Sequence, residues 1–206
     1  TDLDDNQITA FHPGAMNFSH HNSVKEAKHV SLGIVAPDGR DGMIAHAREF
    51  QECGIPFIFD PGQGLPMFSG DELVDFISKA DYVTVNDYEA ELLLERTGYS
   101  LGKLASLVKA LIVTKGAQGS VIYTGGHHIE IPSVQPKAIV DPTGCGDAYR
   151  AGLLYGIAHG LDWYATGKLA SLLGALKIAY RGGQNHEFDR SAIDQHYFEA
   201  YGNRIF

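Results

Sequence analysis

One segment constrains the fold more than any other, and it reads Asp141-Pro142-Thr143-Gly144-Cys145-Gly146-Asp147-Ala148-Tyr149-Arg150-Ala151-Gly152. It is a glycine-bearing loop that runs directly into a long apolar helix. Gly144 and Gly146 let the backbone approach a ligand closely. The first amides of a helix have no acceptor within the helix, and the helix dipole adds partial positive charge at the same point. The segment therefore predicts an anion site at the start of this helix.

Asp147 falls in the first turn of the predicted helix. An aspartate there can accept a proton from a hydroxyl held nearby, and phosphoryl transfer needs little beyond positioning and electrostatics. The alternative is that Asp147 only caps the helix, since an acid stabilises a first turn anyway. Two glycines and two aspartates within seven residues, ahead of an almost uncharged helix, favour the functional interpretation.

On both sides of this loop, short apolar runs alternate with stretches of helical period, which is typical of a mostly parallel sheet covered by helices. Strands are predicted at residues 30–36, 56–60, 82–86 and 111–115. An antiparallel hairpin is predicted from 120–124 and 128–134 around Gly125 and Gly126. Helices are predicted at 41–52, from 69–72 through 77, and at 86–96, 101–109, 144–160, 162–181 and 191–201. We expect a single three-layer α/β/α domain spanning residues 1–206.

A second candidate motif, Asn86-Asp87-Tyr88-Glu89, lies where a predicted strand gives way to a helix. Ligands bind at such carboxyl ends of strands. Asn86 and Glu89 share a helical face and could orient water around Mg²⁺, an ion that tends to keep its waters. An Asn followed three residues later by an acid is also an ordinary capping box. The spacing alone does not decide between these interpretations.

A third candidate motif, Thr114-Lys115-Gly116-Ala117-Gln118-Gly119, follows another apolar strand. Glycines there would admit a ribose or phosphates close to the backbone, with Thr114 and Lys115 as donors. The alternative is a plain turn from a strand into the hairpin. A polar segment that includes Gly183 and Asn185 follows the second long helix, and a helix C-cap with a turn explains it almost as well.

The bulk composition excludes several classes of partner. The formal charge of −9 opposes non-specific binding to nucleic acid or to an anionic membrane, which leaves small molecules. No run approaches the roughly 18 apolar residues that a membrane span needs. The two cysteines, Cys53 and Cys145, lie far apart and form no disulfide framework, which favours a reducing cytoplasm.

Taken in order, the three motifs resemble those of the ribokinase-like (PfkB-type) carbohydrate and nucleoside kinase family. Residues 141–147, called the anion loop below, depart from the family pattern at two positions. Cys145 stands where Ala is usual, and Pro142 stands where Thr is frequent. The resemblance implies an ATP-dependent phosphotransferase with Asp147 as catalytic base and an anion hole formed by the amides of Gly144, Cys145 and Gly146.

The same resemblance implies roles for the other motifs. Asn86 and Glu89 would act on Mg²⁺ through water, and Asp141 and Thr143 would help to hold a monovalent cation such as K⁺. The remaining candidates would lie against ATP or wall its adenine pocket: Thr114, Lys115, Gly116, Gly119, Gly183 and Asn185.

The segment from His12 to Met16 and the exact form of the anion loop look most like bacterial adenosine-kinase-like members, so a nucleoside is the expected acceptor. A sugar such as ribose or fructose is the nearest alternative, and a nucleotide-binding module without catalysis is another. We expect the family's N-terminal part with its lid to be absent here. Many relatives dimerise through that lid, so a homodimer is left open.

Overall fold

Six strands form one sheet whose spatial order follows their order in the sequence. In the computed structural model of the protein, residues 12–206 are the described part, and the first eleven residues of the predicted domain lie outside it. The first four strands are parallel to one another, and the last two run antiparallel as a hairpin. The strands are β1 (Gly33–Val35), β2 (Phe57–Phe59), β3 (Tyr82–Asn86), β4 (Ala110–Thr114), β5 (Ser120–Thr124) and β6 (His127–Ile131).

Seven α-helices accompany the sheet in the described part of the chain. They are α1 (Arg40–Cys53), α2 (Gly70–Lys79), α3 (Asp87–Thr97), α4 (Leu101–Ala105), α5 (Cys145–Ala158), α6 (Trp163–Lys177) and α7 (Arg190–Tyr201). Short 3₁₀ helices occur at Gly14–His21, Val24–Glu26, Gly62–Met67 and Gly116–Gln118. Within residues 12–206, none of the helices has the length and apolar character that crossing a bilayer requires.

The central strands are buried on both faces, which explains their continuous apolar runs. Phe57 and Phe59 pack into one core with α1, α2 and α3, whereas Ile58, between them, packs into a second core with α5 and α6. Leu111 and Ile112 of β4 divide between the same two cores. The predicted three-layer α/β/α arrangement is therefore confirmed.

Local signals in the sequence set most of the helix boundaries. Ser69 with Glu72 and Asn86 with Glu89 form complete capping boxes at the starts of α2 and α3. Gly54 ends α1 with a φ of 65°, in the left-handed region that glycine enters without steric cost. These elements therefore begin and end close to their predicted residues.

Several elements are shorter than predicted. The first strand is confined to Gly33–Val35, and it is an edge strand with one neighbour. The second strand of the hairpin ends at Ile131 because Pro132 has no N–H to donate. The predicted helix at 101–109 ends at Ala105, and the one at 162–181 ends at Lys177, after which the chain turns.

Candidate active site

The anion loop ends at the start of α5, as the sequence predicts. Gly144 is the N-cap residue with a φ of 82°, and Asp147 lies exposed in the first turn. The amide of Cys145 donates to the carbonyl of Pro142 at 3.1 Å, so it closes the turn. Among the described hydrogen bonds the amides of Gly144 and Gly146 have no acceptor. Two of the three expected donors are therefore free to meet an anion.

Cys145 is half-buried at the first position of α5, and burial raises the pKa of its thiol. A raised pKa lowers the thiolate fraction and hence the reactivity of the side chain. This does not agree with a role as a nucleophile.

The carboxylate of Asp141 joins the anion loop to the segment that follows α6. One oxygen accepts the Thr143 amide at 2.9 Å, and the other accepts the Gly182 amide at 2.7 Å. These two backbone N–H groups, that of Gly182 first, lower the pKa of Asp141 to about 2. The two segments are close enough that a Cβ on Gly144 would lie 3.0 Å from the Cα of Gly183. The structure thus brings Gly183 to the loop, and its expected place at the adenine pocket stays a prediction.

Asn185 stays within its own turn. Its side-chain amide donates to the carbonyl of Arg181 at 3.0 Å, and the residue is exposed. Its predicted contact with ATP remains a prediction.

Asn86 and Thr114 lie side by side at the carboxyl edge of the parallel strands, as register partners of β3 and β4. The side-chain oxygen of Asn86 accepts the Glu89 amide at 2.7 Å, and the Glu89 carboxylate accepts the Asn86 amide at 2.8 Å. The capping interpretation is therefore confirmed, but it engages only one oxygen of Glu89. The other carboxylate oxygen of Glu89, Oε1, and the side-chain nitrogen of Asn86, Nδ2, have no described hydrogen-bond partner.

A magnesium ion fits this edge if it keeps most of its waters. Among residues 12–206 no group of three or more His, Cys, Asp or Glu side chains is placed to hold a metal. Mg²⁺ commonly binds through one or two carboxylates together with substrate phosphates. The half-buried Glu89 carboxylate beside Asn86 meets that requirement.

The Thr114 to Gly119 motif divides into a structural part and an open part. Gly119 has a φ of 88°, and a Cβ there would lie 2.1 Å from the carbonyl oxygen of Ile131, so the hairpin itself requires glycine. Gly116 is exposed with nothing within 4 Å of a Cβ. Beside it lies a cavity of about 360 Å³ whose lining includes Lys115 and Gln118. The motif therefore has an open side at Gly116, and Lys115 and Gln118 border the neighbouring pocket on the hairpin.

A buried ion pair joins α5 to the strand edge, and sequence reasoning missed it. Asp60 directly follows β2 and is 1% exposed. An Nη2–H of Arg150 donates to its Oδ1 at 2.8 Å, and Nε contacts Oδ2 without hydrogen-bond geometry. Burial raises the pKa of Asp60, although the hydrogen bond from Arg150 acts in the opposite direction. The pair connects residues 90 positions apart in the sequence.

The ion pair lies near residues of two of the motifs, Glu89 and Asp147. The charges of Glu89 and Asp147 both act on Asp60 and on Arg150, so the four groups are near one another. A Cβ on Gly146 would lie 2.5 Å from Nη1 of Arg150, so glycine at this position makes room for the guanidinium group. The sequence carried two signals for this pair: an acid at the end of an apolar strand, and a single basic residue inside an apolar helix.

Comparisons with known proteins place the chain in a family. Residues 1–189 match the model of the pfkB family of carbohydrate kinases. A nucleoside kinase of Methanocaldococcus jannaschii is 33% identical over 190 residues, which are 90% of this chain and 61% of that protein. A ribokinase of Bacillus subtilis is 30% identical over 68% of this chain and 46% of its own length.

Solved structures show the same relationship. The Burkholderia thailandensis nucleoside kinase in complex with inosine is 54% identical, with a TM-score of 0.96 over 99% of this chain and 67% of that one. The same kinase in complex with ADP-inosine gives a TM-score of 0.95 over 64% of its chain. The chain thus spans about three fifths to two thirds of the nucleoside kinases that it matches. The family model and these relatives agree with the motifs in the site, and the chain belongs to the pfkB family of carbohydrate kinases.

Proposed function

We propose that this chain transfers the γ-phosphate of ATP to a hydroxyl group of a nucleoside, with Asp147 as the catalytic base. The complexes of the Burkholderia thailandensis kinase with inosine and with ADP-inosine support a nucleoside acceptor and an adenine nucleotide donor. Because the chain spans only part of that protein, the activity is a proposal for this chain and needs its own test.

The observation that carries the proposal is the ion pair between Asp60 and Arg150. It holds the start of α5, with Asp147, against the strand edge where Asn86 and Glu89 lie. An anion site and a carboxylate that reach the same point are what phosphoryl transfer requires. An acid in a first turn also stabilises its helix, so the position of Asp147 beside the Asp60–Arg150 pair, and not its presence alone, supports the role of base.

Each group has a defined part in the proposed reaction. The exposed carboxylate of Asp147 accepts the proton of the attacking hydroxyl. The free amides of Gly144 and Gly146, aligned with the dipole of α5, stabilise the charge on the transferred phosphoryl group. Lys115 and Gly116 line the side on which the nucleotide lies, and ADP leaves there.

Glu89 and Asn86 would hold Mg²⁺ through water. Bound there, the ion would neutralise phosphate charge. A cytoplasmic location and a homodimer remain predictions from the sequence.

The test is ADP release from Mg·ATP with inosine, adenosine, ribose and fructose offered separately. We expect turnover with a nucleoside, and a loss of about 10³-fold in Asp147→Asn because the proton acceptor is removed. Asp71→Asn is the matched control, since Asp71 is an exposed acid in the first turn of α2 and is not part of the site.

Each outcome decides between the candidate functions. Turnover with ribose or fructose alone would make the protein a sugar kinase. ATP binding without turnover on any acceptor would make it a nucleotide-binding module. Full turnover in Asp147→Asn would remove Asp147 from the role of base.

A further inference from the structure

A fully buried lysine lies beneath the anion loop. Lys177, the last residue of α6, is 0% exposed. Its Nζ donates to the carbonyl of Asp141 at 2.8 Å and to the carbonyl of Tyr180 at 3.1 Å. One acceptor belongs to the beginning of the anion loop, and the other belongs to the turn that leads to Gly182 and Gly183. The lysine therefore bridges the two segments that form this end of the site.

This ammonium group has no ion-pair partner. Within residues 12–206, no carboxylate oxygen lies within 4.0 Å of Nζ. A buried charge without a partner is costly unless dipoles or hydrogen bonds compensate for it. Here the compensation comes from two loop carbonyls and from the negative end of the α6 dipole, where Lys177 stands.

The positive charge of Lys177 also reaches the anion loop. It acts on Asp141 and on Cys145, and in both cases it favours the negatively charged form of the side chain. A positive charge at this depth adds to the field of the free amides above it.

The oxygen atoms that a monovalent cation would use near Asp141 are already engaged. Both carboxylate oxygens of Asp141 accept backbone N–H groups, and its carbonyl accepts from Lys177. The carbonyl of Tyr180, across the same gap, is also taken by Lys177. Each of these four oxygens therefore already has a donor, so Asp141 does not suit the part in a K⁺ site that the family resemblance implies.

We propose that the ammonium group of Lys177 serves as a built-in cation that fastens the anion loop to the segment 178–183, so that this chain needs no monovalent ion to keep the two together. The part of this inference that concerns nucleotide binding rests on the proposed function. The part that concerns the fastening of the two segments does not.

The structural test is thermal unfolding in chloride salts of choline, sodium, potassium and ammonium at equal ionic strength. We expect the Tm of the native protein to be the same in all four salts. Lys177→Ala lowers the Tm in choline by about 5 °C or more, because two buried carbonyls lose their donor. Potassium or ammonium restores part of that loss by entering the vacated space, whereas choline is too large.

Two further variants control this test. Lys177→Met removes the charge but fills the space, so it should be destabilised without recovery in any salt. Lys168→Met alters another buried lysine of α6, whose ammonium lies 4.0 Å from the Tyr201 ring centroid and away from the loops, and it should show no cation-specific recovery. A native Tm that rises in potassium, or a Lys177→Ala protein that responds equally to all four salts, overturns the proposal.

Binding of an ATP analogue, measured by calorimetry in choline and in potassium, separates this inference from the proposed function. The native protein should bind with the same Kd in both salts. Lys177→Ala should bind about 10-fold more weakly in choline and recover in potassium. A chain that binds the analogue but transfers no phosphate contradicts the kinase and leaves Lys177 supported. A native chain that binds only in potassium contradicts the role of Lys177.

Discussion

The two faces of the sheet differ in the kinds of residue that are buried against them. The face covered by α1, α2 and α3 has an apolar core whose largest members are aromatic, such as Phe57, Phe59 and Phe68. The face covered by α5 and α6 holds most of the buried polar groups that the structure describes: Asp60, Thr84, Ser120, Thr166 and Lys177. On this second face the helices are tied to the sheet and to the loops by specific bonds as well as by packing.

This difference separates what holds the fold together from what positions the reacting groups. Apolar packing is non-directional, so it can bury a helix without fixing its rotation and height to a fraction of an ångström. Catalytic groups need that precision. The buried bonds of α5 supply it, since Arg150 and Tyr149 follow Asp147 within one turn and each is tied to the sheet.

Breaking the ion pair on the second face should give the largest effect. In Arg150→Met the Asp60 carboxylate stays buried without its cation, so we expect the free energy of unfolding to fall by about 4 kcal/mol at neutral pH. Chemical denaturation measures this. Burial alone then raises the pKa of Asp60 above its ordinary 3.8. The variant should therefore be least impaired below about pH 4 and lose stability as the pH rises.

The first face offers the matched control for that prediction. Lys25 and Glu52 form an ion pair beside α1, with side chains 54% and 45% exposed. Lys25→Met should leave stability almost unchanged, since solvent screens an exposed pair. Equal losses in the two variants would show that the polar bonds of the second face are not special.

Tightening the contact between α5 and α6 should give the next largest effect. A Cβ on Gly152 would lie 2.4 Å from the Cα of Ala170, a backbone atom that cannot move aside. We expect Gly152→Ala to cost about 3 kcal/mol of unfolding free energy. On the other face, Gly102 of α4 has nothing within 4 Å of a Cβ, so Gly102→Ala should stabilise the protein by about 0.5 kcal/mol. Two losses of similar size would contradict the close approach of the helices.

Removing one hydroxyl should give the smallest effect of the three. The hydroxyl groups of Tyr149 and Ser120 are hydrogen-bonded at 2.7 Å in the interior, and burial raises the pKa of Tyr149 to about 12. Tyr149→Phe leaves the Ser120 hydroxyl without a partner and should cost about 1 kcal/mol. Tyr123→Phe is the control, because no hydrogen bond of the Tyr123 hydroxyl is described and its ring packs against the apolar core of the first face. If kcat of Tyr149→Phe falls while the protein remains folded, and kcat of Tyr123→Phe does not, the hydrogen bond also positions α5.

The sequence predicted the parts of the molecule that depend on neighbouring residues. The three motifs were visible because each is a short segment with its own turn and cap chemistry. The capping box of Asn86 and Glu89 is an example, since its two residues are only three positions apart. Resemblance to a family then supplied the roles of these residues, which spacing alone left open. The uses of Gly119 and Gly146 became clear only from the atoms that a side chain there would meet.

The sequence by itself determined the alternation of strands and helices, their approximate bounds and the anion loop, because hydrophobic period, caps and glycine turns act over a few residues. The tertiary structure alone decided which distant groups meet: Asp60 with Arg150, Gly144 with Gly183, and Lys177 with the carbonyls of Asp141 and Tyr180. These pairings depend on the strand order and on the height at which α5 and α6 cross the sheet. No local pattern encodes those quantities, because they result from the packing of the whole chain.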